Sequence, residues 1–305
     1  MNRYLVTGAS GNLSRLIVQR LEQQGKEVIQ LDREPPVDTV TNFFQVDIID
    51  TLRITALIDE LQPACILHMA SLLSLSSEAD PVSAWQINAT ASINLLRIAS
   101  DRGVRRFFFP STVATYAGEL PDPLPEDYPQ WPKTIYGVSK VAVERMGVYL
   151  WQAAGLDFRA IRLPLVISPY APPAAASAYP SHAFVAAYRG DPFVFPTSPD
   201  FRISSIYLRD AIDGILKLIE AENTRLTRRV YNLHSFSPST RDFATQVSQR
   251  VPGFTYSFEP QPDIMSMLGT MPSVLIDTSA RRDWEWNPRF DIEASADDIE
   301  RFQAS

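Results

Sequence analysis

The chain has 305 residues, and 28 Lys and Arg against 35 Asp and Glu give it a formal net charge of −7. Such an acidic chain is not expected to take nucleic acid or an anionic membrane as its main partner. A single cysteine, Cys65, leaves no internal disulfide, and the longest apolar run, 64–73, is too short to span a membrane. The first predicted strand starts at residue 3, which leaves no room for a signal peptide, so we expect a cytoplasmic protein.

Strand-like and helix-like runs alternate through the first half of the chain. Apolar runs predict strands at 3–7, 27–31, 43–46, 64–69, 105–109 and 157–162, and amphipathic runs predict helices near 13–24, 51–61, 81–102 and 136–154. A further strand-like run at 229–233 predicts a return to the same sheet. This alternation predicts an α/β fold, a Rossmann-type doubly wound parallel sheet with helices on both faces. The rest of the chain, 237–305, predicts a small C-terminal substrate lobe.

A glycine-containing turn follows the first predicted strand directly. It reads Gly8-Ala9-Ser10-Gly11-Asn12-Leu13-Ser14 and leads into an amphipathic helix. Glycines let the backbone approach a pyrophosphate, and the helix N-terminus offers N–H groups and a positive dipole end. The second strand ends at Asp32, about the separation at which a carboxylate meets a ribose 2′-OH. Since it would repel a 2′-phosphate, the pattern predicts NAD, and not NADP, bound by Gly8, Ser10, Gly11, Asn12, Leu13 and Asp32.

Tyr136 and Lys140 open the last of these predicted helices and lie one turn apart on one face. A free phenol is a poor base at neutral pH, because its pKa is near 10, but a neighbouring positive charge lowers that pKa. Such a tyrosine can exchange a proton with a hydroxyl group. The strand that begins at Arg106 ends at Thr112, where strand ends open on the ligand crevice, so its hydroxyl can hold a substrate oxygen. Thr112, Tyr136 and Lys140 are the predicted catalytic residues.

Prolines mark two irregular stretches, 119–132 and 164–199, and the second is a candidate substrate cover. His182 within it, and Arg202 just after it, are candidates for contact with substrate. The three histidines are scattered and predict no metal site. We predict an NAD-binding Rossmann domain of 1–167 with 203–236, and a substrate-binding lobe of 168–202 with 237–305.

Taken together, these motifs resemble the extended short-chain dehydrogenase/reductase family, in its NAD-dependent epimerase/dehydratase group. The stretches that carry the resemblance are Thr7-Gly8-Ala9-Ser10-Gly11, His68-Met69-Ala70-Ser71, Asn88, Ser111-Thr112 and Tyr136-x-x-x-Lys140. It implies that Lys140 also holds the nicotinamide ribose. It further implies cofactor contacts at Asp47, Ile48, Met69, Ala70, Ser71, Asn88, Pro164 and Val166, and a homodimer joined through the helices at 81–102 and 136–154.

Within that family the chain is similar to the short-chain type of L-threonine 3-dehydrogenases, at Ala70-Ser71-Leu72-Leu73-Ser74 and over 280–288 among other stretches. The similarity implies substrate contacts at Ser74 and Ser111. Those enzymes carry a glycine-rich loop with Thr and Asp over the substrate, whereas this chain reads Pro172-Pro173-Ala174-Ala175-Ala176-Ser177-Ala178-Tyr179. Alanine does not take the positive φ values that glycine permits, and no acidic group is present to meet an ammonium. We therefore expect L-threonine itself to be a poor substrate.

The sequence predicts an NAD-dependent oxidoreductase that interconverts a secondary alcohol and a ketone on a small hydroxy acid, with a 2-amino-3-hydroxy acid as one candidate. A nucleotide-sugar 4-epimerase would use the same residues for a transient oxidation. A sugar dehydratase fits less well, since Val113 and Ala114 follow Thr112 where dehydratases usually carry Asp-Glu. An NAD-sensing regulator would not need the Tyr136/Lys140 pair.

Overall fold

A computed structural model describes residues 2–36, 40–170 and 176–303 of the chain. Within these ranges the strands are β1 (Arg3–Thr7), β2 (Glu27–Asp32), β3 (Phe43–Gln45), β4 (Cys65–His68), β5 (Arg106–Thr112), β6 (Asp157–Leu163), β7 (Leu165–Ile167), β8 (Phe193–Phe195), β9 (Ser205–Tyr207), β10 (Val230–Asn232) and β11 (Tyr256–Phe258).

The helices of the same ranges are α1 (Asn12–Gln23), α2 (Thr51–Leu61), α3 (Ser74–Ala79), α4 (Pro81–Ala84), α5 (Ser92–Asp101), α6 (Ile135–Ala154), α7 (Tyr179–Arg189), α8 (Leu208–Glu220), α9 (Thr240–Arg250), α10 (Pro262–Leu268), α11 (Thr278–Trp284) and α12 (Ile292–Gln303). A π-helical segment, Trp85–Ala91, joins α4 to α5, so the helix predicted over 81–102 has an irregular middle. Short 3₁₀ turns lie at Val113–Thr115, Ala176–Ala178 and Asn223–Arg225.

The central sheet of the described residues has seven parallel strands in the order β10-β6-β5-β4-β1-β2-β3. The predicted Rossmann-type fold is therefore confirmed, and so is the predicted return strand, since Val230 of β10 pairs with Ala160 of β6. The strand order reverses between β1 and β4, and ligands of such sheets bind at the carboxyl ends of the strands beside this point. There Thr7 pairs with both Leu31 and His68, so three strands end together.

Both faces of the sheet are covered by helices, which explains why most of its strand residues are apolar, the buried charges of β6 being the main exception. On one face Ile17 of α1 and Ile215 of α8 pack against the sheet, and on the other Leu57 of α2, Leu96 of α5 and Val143 of α6 do so. All five side chains are buried. This packing holds the first turns of α1 and α6 at the carboxyl edge of the strands.

A separate apolar cluster lies in the C-terminal half of the chain, where α7, α9 and α12 enclose Phe195 and Phe243. Trp284 and Trp286, which the predicted division assigned to the lobe, pack instead into the cluster on the α1/α8 face of the sheet. The exact division into domains stays a prediction. Among the described helices, none combines the length and apolar character that a membrane crossing needs.

Candidate active site

A cavity of about 590 Å³ lies at the carboxyl ends of β1, β2, β4, β5 and β6. This is a usual size for a pocket that holds a cofactor or a small molecule. Most residues predicted from the sequence line it, namely Gly8, Gly11, Asn12, Leu13, Asp32, Asp47, Ile48, Met69, Ala70, Ser71, Ser74, Ser111, Thr112, Tyr136, Lys140, Pro164 and Val166. The fold therefore gathers side chains from the whole first half of the sequence around one space.

The glycine turn lies where two chain segments approach each other closely. Gly8 has a φ of +64°, and a Cβ there would lie 2.7 Å from the backbone nitrogen of Ala70. Gly11 is the N-cap residue of α1, so no side chain caps this helix. The first N–H groups of α1 therefore lack a side-chain acceptor at the wall of the cavity, which is the arrangement that binds a phosphate group. The residues present fit the pyrophosphate of a dinucleotide.

Asp32 is fixed by backbone hydrogen bonds at the end of β2. Its Oδ2 accepts from the N–H of Ser10 at 2.9 Å, and its Oδ1 accepts from the N–H of Glu34 at 3.1 Å. Ser10 does not line the cavity; it orients the carboxylate. Each carboxylate oxygen has a second lone pair, so Asp32 can still accept a bond from a ribose hydroxyl.

Asn88 lies behind the cavity wall and not on it. From the π-helical segment its side chain accepts from the backbone N–H of Leu72 at 2.8 Å and donates to the carbonyl oxygen of Leu72 at 3.0 Å. It also bonds Ser71 and Ser77. Asn88 therefore positions the segment after β4, and the cofactor contact predicted for it from family resemblance stays a prediction.

Tyr136 reaches the cavity because the start of α6 abuts the turn after β5. Thr134 caps this helix by accepting from the N–H of Gly137 at 3.1 Å. A Cβ at Gly137 would lie 2.1 Å from the carbonyl oxygen of Ala114, so only glycine allows this approach. Thr112 and Tyr136 thus line the same space, as predicted.

Lys140 is almost fully buried one turn below Tyr136. Its Nζ donates to the carbonyl oxygen of Pro110 at 3.0 Å and lies 5.4 Å from the ring centre of Tyr136. Burial lowers the pKa of Lys140 to about 7, against the opposing charge of Glu144. Burial likewise raises the pKa of Tyr136 to about 12. The lowering of the Tyr136 pKa that the sequence predicts is therefore not found in the protein alone, because burial of the phenol raises that pKa.

His182 and Arg202 lie outside the residues that line the cavity. The exposed guanidinium of Arg202 donates to the carbonyl oxygen of Ser237 at 2.7 Å and faces Asp242 at 3.7 Å. The Nε2 atom of His182 is buried without a hydrogen-bond partner among the described residues. Substrate contact by either residue stays a prediction. Most of the alanine-rich loop, 171–175, falls outside the described residues.

Sequence reasoning missed two groups of residues at this site. One is part of the far wall of the cavity, where Ile203 and Met271 come from distant parts of the chain. The other is a buried ion pair between Glu144 and Arg162. A signal for the second was present, since Glu144 is one helical turn beyond Lys140, and an arginine inside a predicted buried strand requires a carboxylate partner.

Comparisons with known proteins agree with this fold. The model of the NAD dependent epimerase/dehydratase family matches residues 4–233. Bovine (Bos taurus) mitochondrial L-threonine 3-dehydrogenase is 31% identical over 297 residues, which cover 95% of this chain and 79% of that protein. A solved monomeric L-threonine 3-dehydrogenase from a metagenome database has a TM-score of 0.93 at 26% identity and covers 98% of both chains. The UDP-glucose 4-epimerase of Thermus thermophilus, solved in complex with NAD, has a TM-score of 0.82 at 25% identity, covering 97% of this chain and 98% of that one.

Proposed function

This chain belongs to the NAD dependent epimerase/dehydratase family, and we propose that within it the protein is an NAD-dependent dehydrogenase of small hydroxy acids. The observation that supports this most strongly is the meeting of Thr112, Tyr136 and Lys140 in a cavity that also contains the uncapped α1 N-terminus and Asp32. A module that only sensed NAD would need the α1 N-terminus and Asp32, but it would not need Thr112, Tyr136 and Lys140.

Thr112 and Tyr136 offer two hydroxyl groups to one substrate oxygen. When an alcohol is oxidised, its O–H proton passes to the Tyr136 oxygen; when a ketone is reduced, Tyr136 returns that proton. A bound NAD would supply the hydride chemistry at the substrate carbon, its oxidised form as hydride acceptor and its reduced form as hydride donor. Because burial raises the pKa of Tyr136 to about 12, the phenolate form requires a positive charge nearby, and the Lys140 ammonium is the cation placed to provide it.

The substrate end of the cavity is mostly apolar. Its described wall includes Leu72, Ala178, Ile203 and Met271, with the hydroxyl groups of Ser74, Ser111 and Ser177. Tyr136 and Lys140 are the ionisable side chains among the described residues there, and residues 171–175 contain only alanine and proline. An ammonium group would find no carboxylate among the described residues that line this end, and a buried unpaired charge costs several kcal/mol, about 3–5 in measured cases. We therefore place a 3-hydroxy acid without an amino group ahead of L-threonine.

Steady-state assays that follow NADH absorbance test this choice. A deaminated 3-hydroxy acid should be oxidised with a higher kcat/KM than L-threonine, and UDP-glucose should not be epimerised. Efficient oxidation of threonine would refute the argument from the cavity wall. Epimerisation of UDP-glucose would instead support the alternative, a nucleotide-sugar 4-epimerase, although a substrate pyrophosphate would find only Lys140 as a cation among the described residues of this end.

A homodimer through the helices at 81–101 and α6 accounts for large apolar side chains on their outer surface. Val82 is 81% exposed and Tyr149 is 59% exposed, with Trp85 and Val138 also exposed. Light scattering of the purified protein tests this, and a monomer at micromolar concentration would contradict it; one solved relative is described as monomeric.

We propose the cytoplasm as the compartment, since the free Cys65 is buried and forms no disulfide.

A further inference from the structure

A buried ionic network lies beneath the proposed reacting centre, on the face of α6 that carries Tyr136 and Lys140. Residues four apart in a helix share a face, so Glu144 follows Lys140 by one turn. The Glu144 side chain is 1% exposed, and it accepts from Nε of Arg162 at 3.1 Å and from Nη2 at 2.8 Å. This two-point contact fixes the carboxylate between α6 and β6.

The same carboxylate reaches the wall of the cavity. Its Oε1 accepts a hydrogen bond from the hydroxyl of Ser111, which lines the cavity next to Thr112. Its Oε2 accepts from the side-chain amide of Gln130 at 3.0 Å, and Arg162 donates in turn to the hydroxyl of Tyr116 at 2.5 Å. Glu144 thus joins the end of β5, the middle of α6 and the loop that leads to Tyr136.

The charge of Glu144 acts on the pKa of Lys140. Within the part of the chain that the structure describes, Lys140 forms no ion pair, and its ammonium bonds only the carbonyl oxygen of Pro110. Burial lowers the pKa of Lys140, and the negative charge of Glu144 raises it. Glu144 carries that charge one helical turn from Lys140, on the same face of α6.

The other titratable groups near Lys140 do not supply this charge. His68 of β4 is neutral, because burial, and then the charge of Lys140, lower its pKa to about 3. Tyr136 is protonated in the protein alone. Glu78 of α3 is exposed, and its carboxylate faces the backbone N–H of Tyr136 at 3.5 Å. Glu144 is therefore the one buried carboxylate near Lys140 among the described residues.

We propose that Glu144, held by Arg162, is a positioning residue for the reaction: its charge keeps Lys140 in the ammonium form beside Tyr136, and its oxygens fix the strand end that carries Ser111 and Thr112. The inference rests on the proposed function, because it concerns the same centre. In this inference Glu144 touches neither substrate nor cofactor. It acts through Lys140 and Ser111, which line the cavity.

Two variants test it. Glu144→Gln keeps the size and the bond to Ser111 but removes the charge. The acidic limb of the kcat/KM profile for alcohol oxidation should then move to higher pH by about one unit, which is about ten-fold in rate on that limb. NAD affinity, measured by tryptophan quenching, should change much less. Because this change leaves Arg162 buried without a counter-ion and can prevent folding, the double variant Glu144→Gln/Arg162→Gln removes both charges, and its profile should move in the same direction.

Asp157→Asn is the matched control. Asp157 is also a buried carboxylate, paired with Arg106 of β5 and Arg159 of β6, but it lies at the start of β6, at the end of the strand away from the cavity. Its loss should lower the melting temperature and leave the pH profile in place. An unmoved profile in the double variant, or an equal movement in Asp157→Asn, would reduce Glu144 to a structural role.

A readout without substrate separates this inference from the proposed function. The titration of Lys140 can be followed in full-length protein by NMR of ¹³C-labelled lysine, with Lys140→Met used to assign the signal. Its midpoint should fall by about one pH unit in Glu144→Gln, and less far in the double variant. A midpoint that stays at the wild-type value overturns the inference whatever the substrate is, whereas a lowered midpoint without turnover of any hydroxy acid would count against the proposed function alone.

Discussion

Replacing Gly137 by alanine should misplace Tyr136 while leaving the protein folded. A Cβ at this position would lie 2.1 Å from the carbonyl oxygen of Ala114 and 2.8 Å from Cβ of Pro132, whereas ordinary contacts begin at 3.4 Å. The start of α6 and the turn after β5 must then separate by about 1 Å, and a displacement of this size can lower a rate about a hundred-fold. Overpacking lowers the unfolding free energy by about 1–3 kcal/mol. The higher helix propensity of alanine relative to glycine offsets about 1 kcal/mol of this, so the net loss should stay below about 2 kcal/mol.

The assay compares kcat, NAD affinity and melting temperature for Gly137→Ala and for Gly147→Ala in the same helix. A Cβ at Gly147 would lie 2.4 Å from the ring of Phe158, away from the cavity. We expect Gly147→Ala to lose stability and keep its kcat, and Gly137→Ala to lose kcat as well as some stability. A kcat for Gly137→Ala within about threefold of wild type would show that the close approach of α6 is not needed for the reaction.

Three further predictions concern single side chains. Tyr136→Phe should lower turnover by about 10²–10⁴-fold with little change in NAD affinity, and near-normal turnover would point to another route for the proton. In Lys140→Met the pH dependence of stability should change: burial lowers the pKa of Lys140 to about 7, against about 10.4 in the unfolded chain. Between these values the unfolded state binds the extra proton and wild-type stability rises with pH. The variant should have a higher unfolding free energy than wild type at low pH, and this difference should shrink toward pH 10 when it is measured by urea titration. A difference that does not change with pH would contradict the lowered pKa of Lys140. Finally, wild type should bind NAD more tightly than NADP, and Asp32→Asn should reduce the ratio of the two affinities, with Asp47→Asn as the control. A preference of wild type for NADP would contradict the role of Asp32.

Features of this site that depend on short-range spacing could be predicted from the sequence, and those that depend on distant pairing could not. The glycine turn, Asp32 and the Tyr136/Lys140 pair each lie within one βα unit or one helix turn, so their relative positions follow from regular geometry. Ile203 and Met271 reach the cavity only through the packing of the lobe. The exposure of Arg202 and its ion pair with Asp242 likewise could not be read from the sequence, and its contact with substrate stays a prediction.

The pairing of Glu144 with Arg162 illustrates the same limit across layers. One residue belongs to α6 and the other to β6, and their contact depends on how the helix crosses the sheet. Only the requirement for a partner could be read from the sequence, because a charge within a buried strand is costly when it is alone. The identity of that partner needed the structure.

The two buried ionic clusters on β6 differ in what surrounds them, and this difference argues that they serve different ends. Arg159, held by Asp157, donates to the carbonyl oxygens of Leu218 at 2.5 Å and Ala221 at 2.7 Å, so that cluster satisfies the C-terminal carbonyls of α8. The pair of Glu144 and Arg162 meets the cavity wall instead, through Ser111. Since a buried ion pair is often no more stabilising than an apolar replacement of the same volume, stability alone does not explain a charged pair at this position. Its place one helical turn from Lys140 supports the proposed role, because a fixed negative charge favours the protonated form of a buried amine.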